Sequence, residues 1–270
     1  MANFTVRPIN TGFIPTYPKQ YHYHHSVHKY IPGIKEEKEA LPDFTFLIEG
    51  NGKKILVDTG MSWTERANEY HHPGSWQDPG QAIHEQFAKL GIPCEDVDYV
   101  LFTHMHWDHI FYMDHFKNAT FIAHEREYAF ALDPIPLYYK SYEHPFLGVV
   151  RPFENIKIDT CRGEAEIVPG VRAFETFGHS PGHMSIEVDT PDGRYILGGD
   201  SAFRLANFNP IPEIGYDVTP PGRFANIIEC WKSLEITKER AQSLDNILLS
   251  HETALLDRIE KTPVFGLGNK

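Results

Sequence analysis

The stretch "THMHWDHI" (103–110) carries four side chains that can bind a metal ion within six consecutive positions: His104, His106, Asp108 and His109. Because the chain has 16 histidines in 270 residues, some will lie close together by chance. The position of this cluster in the predicted fold is therefore the informative feature. It follows an apolar run, "DYVLF" (98–102), which predicts a buried strand with the cluster at its C-terminal end. In an extended segment, positions 104 and 106 point the same way, while 108 and 109 can turn toward a second point. The pattern predicts two adjacent sites for zinc or similar divalent metals.

Three further ligand-type residues stand at the ends of other apolar strands. They follow or close the runs "VRAFET", "YILGGD" and "NILLSH": His179, Asp200 and His251. A carboxylate buried at the end of an apolar strand is costly unless it is paired or bound to a metal. These residues therefore predict a metal centre assembled from several strand ends.

Runs of β-branched and aromatic residues predict strands in two successive blocks. The predicted strands are 44–50, 53–60, 98–104, 119–124, 164–169, 171–176, 184–190, 194–200 and 246–251, with turns at Asn51-Gly52 and Asp192-Gly193. Helical patterns cover 81–91, 125–132 and 223–235. This order predicts two packed sheets with helices outside, in one domain over residues 1–270.

Two segments fit no periodic pattern. Residues 1–40 and 133–150 are rich in Pro, Tyr, His and Phe, and we expect surface segments that act as lids or homodimer contacts. Substrate contact and ordinary loop packing are equally open for them. The first segment includes a second histidine cluster, which we expect to be solvated or part of a lid: His22, His24, His25 and His28.

Composition excludes several classes of partner. A net charge of −12 without a local basic run opposes binding to nucleic acid. The start "MANFTVRPIN" does not predict a signal peptide, and no apolar run approaches the length of a membrane span. Three cysteines without paired spacing predict a reducing, cytoplasmic environment: Cys94, Cys161 and Cys230.

The combined pattern resembles the metallo-β-lactamase superfamily. The matching elements, in chain order, are D-T-G at 58–60, H-x-H-x-D-H at 104–109, G-H-S-P-G-H at 178–183, Asp200 and His251. An H-x-H pair alone would be weak evidence for this superfamily, but the full set of elements in this order is specific for it.

The resemblance covers residues 44–252 and implies an α/β (α+β) fold, a four-layer αββα sandwich with metals at one edge. It implies a first metal on His104, His106 and His179, and a second on Asp108, His109 and His251, with Asp200 bridging. Asp58 would support the ligands from outside the metal shell, and His183 would be structural.

Such a centre implies hydrolysis. Two divalent cations, Zn²⁺ first and Fe, Mn or Co as alternatives, lower the pKa of a bridging water, so that hydroxide can attack a polarised carbonyl. Asp108 is the candidate catalytic residue, because it could pass a proton to the leaving group. A metal-binding module without catalysis is the alternative class, and the complete ligand set argues against it.

Among subfamilies, the N-acyl homoserine lactonases match best in length and order. Common zinc β-lactamases carry a cysteine in place of Asp200, and hydroxyacylglutathione hydrolases have a helical domain for which the 19 residues after His251 are too few. One departure is Phe203, where the lactonases usually have a tyrosine whose hydroxyl helps to hold the substrate carbonyl. The predicted substrate is therefore an N-acyl homoserine lactone or related lactone, with a 4-pyridoxolactone-like ring, an ester or a thioester as alternatives.

Overall fold

The structure is a computed structural model that describes residues 3–268. Within this range, the first sheet has six strands in chain order. They are β1 (Thr5–Thr16), β2 (Glu39–Gly50), β3 (Lys53–Val57), β4 (Tyr99–Leu101), β5 (Thr120–His124) and β6 (Ile158–Cys161). β1, β2 and β3 pair antiparallel, whereas β3 to β6 run parallel and so end at one edge.

The second sheet, among the same described residues, has five strands. They are β7 (Ala165–Val168), β8 (Val171–Glu175), β9 (Met184–Thr190), β10 (Gly193–Gly199) and β11 (Ile247–Leu249). β7 to β10 pair antiparallel, and β11 lies parallel to β10. Since β8, β10 and β11 therefore share one direction, their C-terminal ends also meet at one edge.

Helices connect and cover the sheets. They are α1 (Pro18–Tyr21), α2 (Thr64–Arg66), α3 (Ile83–Leu90), α4 (Glu125–Leu132), α5 (Ile227–Arg240) and α6 (Ala254–Lys261). A π-helical turn, Ala67–His71, continues α2. Short 3₁₀ helices lie at His25–Tyr30, Cys94–Asp96, Met113–His115, Pro136–Tyr138, Pro145–Leu147, Leu205–Phe208, Pro212–Ile214 and Leu244–Asn246.

Successive side chains along the strands point to opposite faces of each sheet, and this builds separate apolar layers. In β2, Phe46 faces the second sheet and joins a cluster with Ile186 of β9, while Leu47 faces the opposite way into the cluster with Phe87 of α3. Leu234 of α5 packs on the outer face of the second sheet. The resulting order of helix, sheet, sheet and helix confirms the predicted four-layer αββα sandwich.

Most predicted elements are confirmed, including the hairpin at Asn51-Gly52, but several boundaries differ. The predicted helix 223–235 begins later because the Asn226 side chain accepts hydrogen bonds from the next turn and caps α5. The turn between β9 and β10 falls one residue earlier than predicted, since Thr190 pairs with Gly193. β4 ends at Leu101, where the chain bends into the histidine cluster.

The prediction of an irregular segment over 1–40 is wrong for Thr5–Thr16, which form β1. Pro8 and Pro15, with a register shift between Asn10 and Phe13, break the period that marks a strand. β1 lies at the edge of its sheet, and the bridges on its outer side fall at Val6 and Phe13. Prolines are tolerated at positions 8 and 15 because their missing N–H groups are not needed for these bridges.

Over residues 3–268, none of the helices combines the length and apolar character needed to cross a membrane.

Candidate metal centre

The predicted ligands lie together at the edge where strands of both sheets end. The loop after β4 carries the cluster 104–109, the loop after β8 carries His179, and Asp200 and His251 follow β10 and β11. Gly199 precedes Asp200 with a φ of +51°, and a Cβ there would lie 2.7 Å from Cβ of Thr103. Glycine at this position therefore lets the end of β10 approach the loop after β4.

Three histidines form a first group. Nε2 of His104 and Nε2 of His179 lie 3.0 and 3.1 Å from Nδ1 of His106, and all three side chains are buried. Three imidazole nitrogens that converge in this way match the donor set of a zinc-like ion.

Two histidines and a carboxylate form a second group. The two oxygens of Asp108 lie 3.9 Å from Nε2 of His109 and 3.7 Å from Nε2 of His251. Asp108 is also at the cavity surface, so its carboxylate can reach both this group and a bound molecule.

Asp200 joins the two groups, because each of its oxygens faces a different one. Oδ2 lies 3.3 Å from Nε2 of His179 and 3.8 Å from Nε2 of His104. Oδ1 lies 3.5 Å from Nε2 of His109 and 3.3 Å from Nε2 of His251. A carboxylate shared in this way suits two neighbouring cations.

Outer partners fix the orientation of four imidazole rings. His109 Nδ1 lies 2.9 Å from Asp58 Oδ2, and His251 Nδ1 lies 2.8 Å from the carbonyl oxygen of Pro42. His104 Nδ1 lies 3.1 Å from the hydroxyl of Thr103, and His179 Nδ1 lies 3.4 Å from a backbone carbonyl. Because Nδ1 is engaged, Nε2 is turned toward the interior of the site.

Asp58 and His183 both form hydrogen bonds with the loops that carry the candidate ligands. Asp58, at φ +60°, accepts hydrogen bonds from the backbone N–H and hydroxyl of Thr103. His183 lies between Thr176 and Asp200, with Nε2 accepting from the backbone N–H of Asp200 at 3.0 Å. Neither side chain needs to bind a metal to fix the loops that carry the candidate ligands.

The pKa directions separate the two groups. Burial lowers the pKa of His104 and His106 well below the usual range and lowers that of His179 to about 4, so these rings are neutral at pH 7. Burial opposes protonation of His251 as well, but the facing carboxylates, Asp200 above all, raise its pKa to about 9. Burial would raise the pKa of Asp200, yet the surrounding imidazoles hold it well below its usual value. At pH 7 the first group is therefore neutral, whereas His251 in the second group is protonated beside an ionised Asp200.

The residues fit a pair of cations. Nε2 of His109 and Oδ1 of Asp200 are buried and have no hydrogen-bond partner within residues 3–268. Buried polar atoms without partners are costly, and bound cations would satisfy these two atoms.

Sequence reasoning missed two buried carboxylates beside the centre. Asp43 lies within reach of His109 and His251, and its only sequence signal is a charge inside an apolar strand. Glu127, which is fully buried in α4, had no signal beyond its helix.

Glu127 ties together the two loops that carry the first group. Its carboxylate accepts from the backbone N–H of Met105 at 3.0 Å and of Gly182 at 2.9 Å. It also accepts from the hydroxyls of Tyr142 at 2.8 Å and Ser180 at 2.7 Å. Burial raises its pKa, and these hydrogen bonds act against that rise.

We expect Glu127→Ala to lower the free energy of unfolding by about 3–5 kcal/mol, because four buried donors lose the carboxylate that accepts their hydrogen bonds. Urea denaturation measures the loss. Glu125→Ala on the same helix is the matched control, and we expect it to change stability by less than about 1 kcal/mol because its ion pair is partly exposed. Equal effects for the two variants would contradict the connecting role of Glu127.

A cavity opens over both groups. Its apolar wall is formed by Ile14, Leu41, Trp107, Leu137 and Phe203. Leu137 belongs to the segment 133–150, which also supplies Lys140 and Ser141 to the wall. That segment exposes Leu137 at 81 % and Phe146 at 80 %, and its role as a lid or dimer contact stays a prediction.

Phe203 lies directly over the centre. Its ring centroid is 5.5 Å from that of His251 and 5.7 Å from that of His179. His22 stacks against Phe203 at 6.4 Å and is buried. Of the two expectations for its cluster, solvent exposure is therefore wrong for His22, and a part in a lid stays a prediction. Phenylalanine provides no hydroxyl at this position.

Comparisons with known proteins agree with this architecture. A family model described as the metallo-beta-lactamase superfamily matches residues 40–251. An N-acyl homoserine lactonase of Bacillus cereus is 31 % identical over 189 residues, which are 66 % of this chain and 71 % of the relative. The N-acyl homoserine lactonase AttM of Azorhizobium caulinodans is 27 % identical, with 81 % of each chain covered.

Solved structures share the fold. The N-acyl homoserine lactone hydrolase with N-hexanoyl-L-homoserine at its catalytic metal centre has a TM-score of 0.73 and 23 % identity, covering 96 % of this chain and 97 % of that one. AidC, a dizinc quorum-quenching lactonase, has a TM-score of 0.67 and 13 % identity, covering 93 % and 91 %.

Proposed function

Because the chain belongs to the metallo-beta-lactamase superfamily, we propose that it is a metal-dependent hydrolase that opens a lactone ring at a dinuclear centre. The observation that carries the proposal is the division of the Asp200 carboxylate between two groups of ligand-type side chains. Similarity to N-acyl homoserine lactonases supports a cyclic ester as the substrate.

The proposed ligands of the first ion are His104, His106 and His179, and those of the second are Asp108, His109 and His251, with Asp200 shared. When bound, two divalent cations lower the pKa of a water between them and polarise a carbonyl oxygen. The nitrogen-rich first group suits Zn²⁺, and Fe, Mn or Co remain alternatives for both positions.

The protein's own residues supply orientation and a proton. In lactone hydrolysis water adds to the acyl carbon, the ring C–O bond breaks, and the ring oxygen must gain a proton. Asp108 reaches the cavity and is the candidate that carries this proton to the leaving oxygen. The apolar wall beside it is suited to an acyl chain.

A second candidate is a lactone fused to an aromatic ring, such as a 4-pyridoxolactone-like compound, whose ring hydroxyl can ionise. Lys140 and Arg223 both line the cavity, and two cationic side chains there favour an anionic substituent on the substrate. Phe203 also lacks the tyrosine hydroxyl that is usual in N-acyl homoserine lactonases, which favours a substrate of another kind.

The test is ring opening of a lactone panel with metal content measured on the same sample. The panel contains short- and long-chain N-acyl homoserine lactones, simple γ- and δ-lactones, a carboxylated aromatic lactone, an aryl ester and a thioester. We expect turnover that a chelator removes and added metal restores. Full turnover after complete metal removal would reject the proposal, and bound metal without turnover of any compound would favour a non-catalytic module.

We expect Phe203→Tyr to raise kcat/KM for N-acyl homoserine lactones by roughly 3- to 10-fold, because one added hydrogen bond to the substrate carbonyl is worth about 1 kcal/mol. Steady-state kinetics measure this gain, with metal content as a check that the centre is intact. Phe203→Leu is the control, since it removes the ring without adding a hydroxyl. A tyrosine variant no better than the wild type would indicate a substrate held in another way.

A further inference from the structure

Asp43 is a carboxylate beside the second group that the superfamily motifs do not include. It lies in β2 and is fully buried. Its Oδ2 accepts from the hydroxyl of Thr11 at 2.6 Å and from the backbone N–H of Met61 at 3.0 Å. Its Oδ1 is buried and has no hydrogen-bond partner among the described residues. One oxygen of this carboxylate thus holds the local structure, and the other is free to bind a ligand.

The register of the first sheet explains how Asp43 reaches the centre. Phe46 of β2 pairs with Val57 of β3, so the residues before Phe46 run beside the turn that follows β3. Pro42 receives the Nδ1 contact of His251, and Asp43 is the next residue. Candidate ligand atoms of Asp43, His109 and His251 all lie within 4.8 Å of one another.

We propose that Asp43 supplies an additional oxygen ligand to the second metal ion, a role that rests on the dinuclear centre proposed above. The second position then has five protein donors, whereas the first has four. The five donors are Asp43, Asp108, His109, Asp200 and His251.

Charge supports this assignment. Three carboxylates, Asp43, Asp108 and Asp200, lie near two proposed dications, and a buried carboxylate without a cation is costly. An added oxygen donor also shifts the second position toward ions that accept more than four ligands and prefer oxygen, such as Mn²⁺. The first position keeps a nitrogen-rich, zinc-like donor set.

The test measures metal release rather than turnover. Wild type, Asp43→Asn and Thr11→Val are loaded with Zn²⁺ and dialysed against a graded series of chelator concentrations, and the metal retained per chain is determined. Asn keeps the size of the side chain and an acceptor for Thr11 and Met61 but loses the anionic oxygen. Thr11→Val removes a hydrogen bond to Asp43 and keeps the carboxylate.

We expect Asp43→Asn to lose its second ion at a roughly 10- to 100-fold lower chelator concentration, with the first ion unchanged. Thr11→Val should shift the release of the second ion less, because the backbone N–H of Met61 still holds the Asp43 carboxylate. Identical release curves for Asp43→Asn and wild type would overturn the proposal. So would an equal shift in Thr11→Val, because the carboxylate would then act only through local structure.

A second measurement does not depend on the folding of a variant. In wild type loaded with Co²⁺, a water shared by the two ions adds one ligand to each, so with Asp43 bound the second position still has one more ligand than the first and should give the weaker visible band. Two visible bands of equal intensity would overturn the role of Asp43. If wild type binds two ions but opens no lactone, the proposed function fails while the Asp43 test still stands. If the release curves are identical in a chain that opens lactones, only the Asp43 proposal fails.

Discussion

Asp200→Asn is expected to lower the metal content from two ions per chain to one or none and to reduce kcat/KM on lactones by more than about 100-fold. Loss of an outer partner of a metal site costs roughly 10- to 100-fold, and Asp200 faces both groups directly. The asparagine would also bring an NH₂ donor against Nε2 of His179 or His251, which now lie 3.3 Å from its oxygens. Elemental analysis and lactone kinetics on the same sample measure both effects.

The control for Asp200→Asn is Asp189→Asn, in the neighbouring strand β9. Asp189 pairs with Arg172 at 2.8 Å and has no contact with the centre, so this variant should keep its metals and its turnover. Circular dichroism establishes that both variants are folded. An Asp200→Asn chain that retains two ions and near-normal turnover would refute the shared carboxylate as the basis of the site.

The sequence predicts the metal centre well where the ligands are clustered in the sequence or stand at the end of an apolar strand. The ligands between His104 and His109 are recognisable because four metal-binding side chains follow one apolar run. Asp200 and His251 are recognisable because each stands at the end of such a run. Parallel strand direction then brings these ends to one edge, so the fold and the ligand positions follow from the same pattern.

Other features depend on pairings that the sequence does not display. β1 was missed because two prolines and a register shift conceal its period, yet it carries Thr11, which orients Asp43. Asp43 reaches the centre only through the register of β2 on β3, and Glu127 reaches two loops only because α4 packs beside them. These contacts are long-range, and no local spacing marks them.

Asp108→Asn separates two roles that one carboxylate combines. Its oxygens face His109 and His251, so it is a proposed ligand, and it borders the cavity, so it is also the proposed proton donor. Asparagine retains one oxygen that can face a cation but cannot carry the proton. We expect lactone hydrolysis to fall by about 10²- to 10⁴-fold, the usual contribution of general acid catalysis.

The substrate comparison decides which role dominates. An alkoxide leaving group needs a proton, whereas the phenolate of an activated aryl ester does not. If Asp108 donates the proton, Asp108→Asn should lose far more activity on lactones than on the aryl ester when both are measured at the same saturating metal concentration. His109→Ala is the matched variant, since it removes a proposed ligand of the second ion and should reduce both activities together. Near-normal lactone turnover in either folded variant would rule out the proposed mechanism, because the second group would then contribute neither a metal position nor a proton.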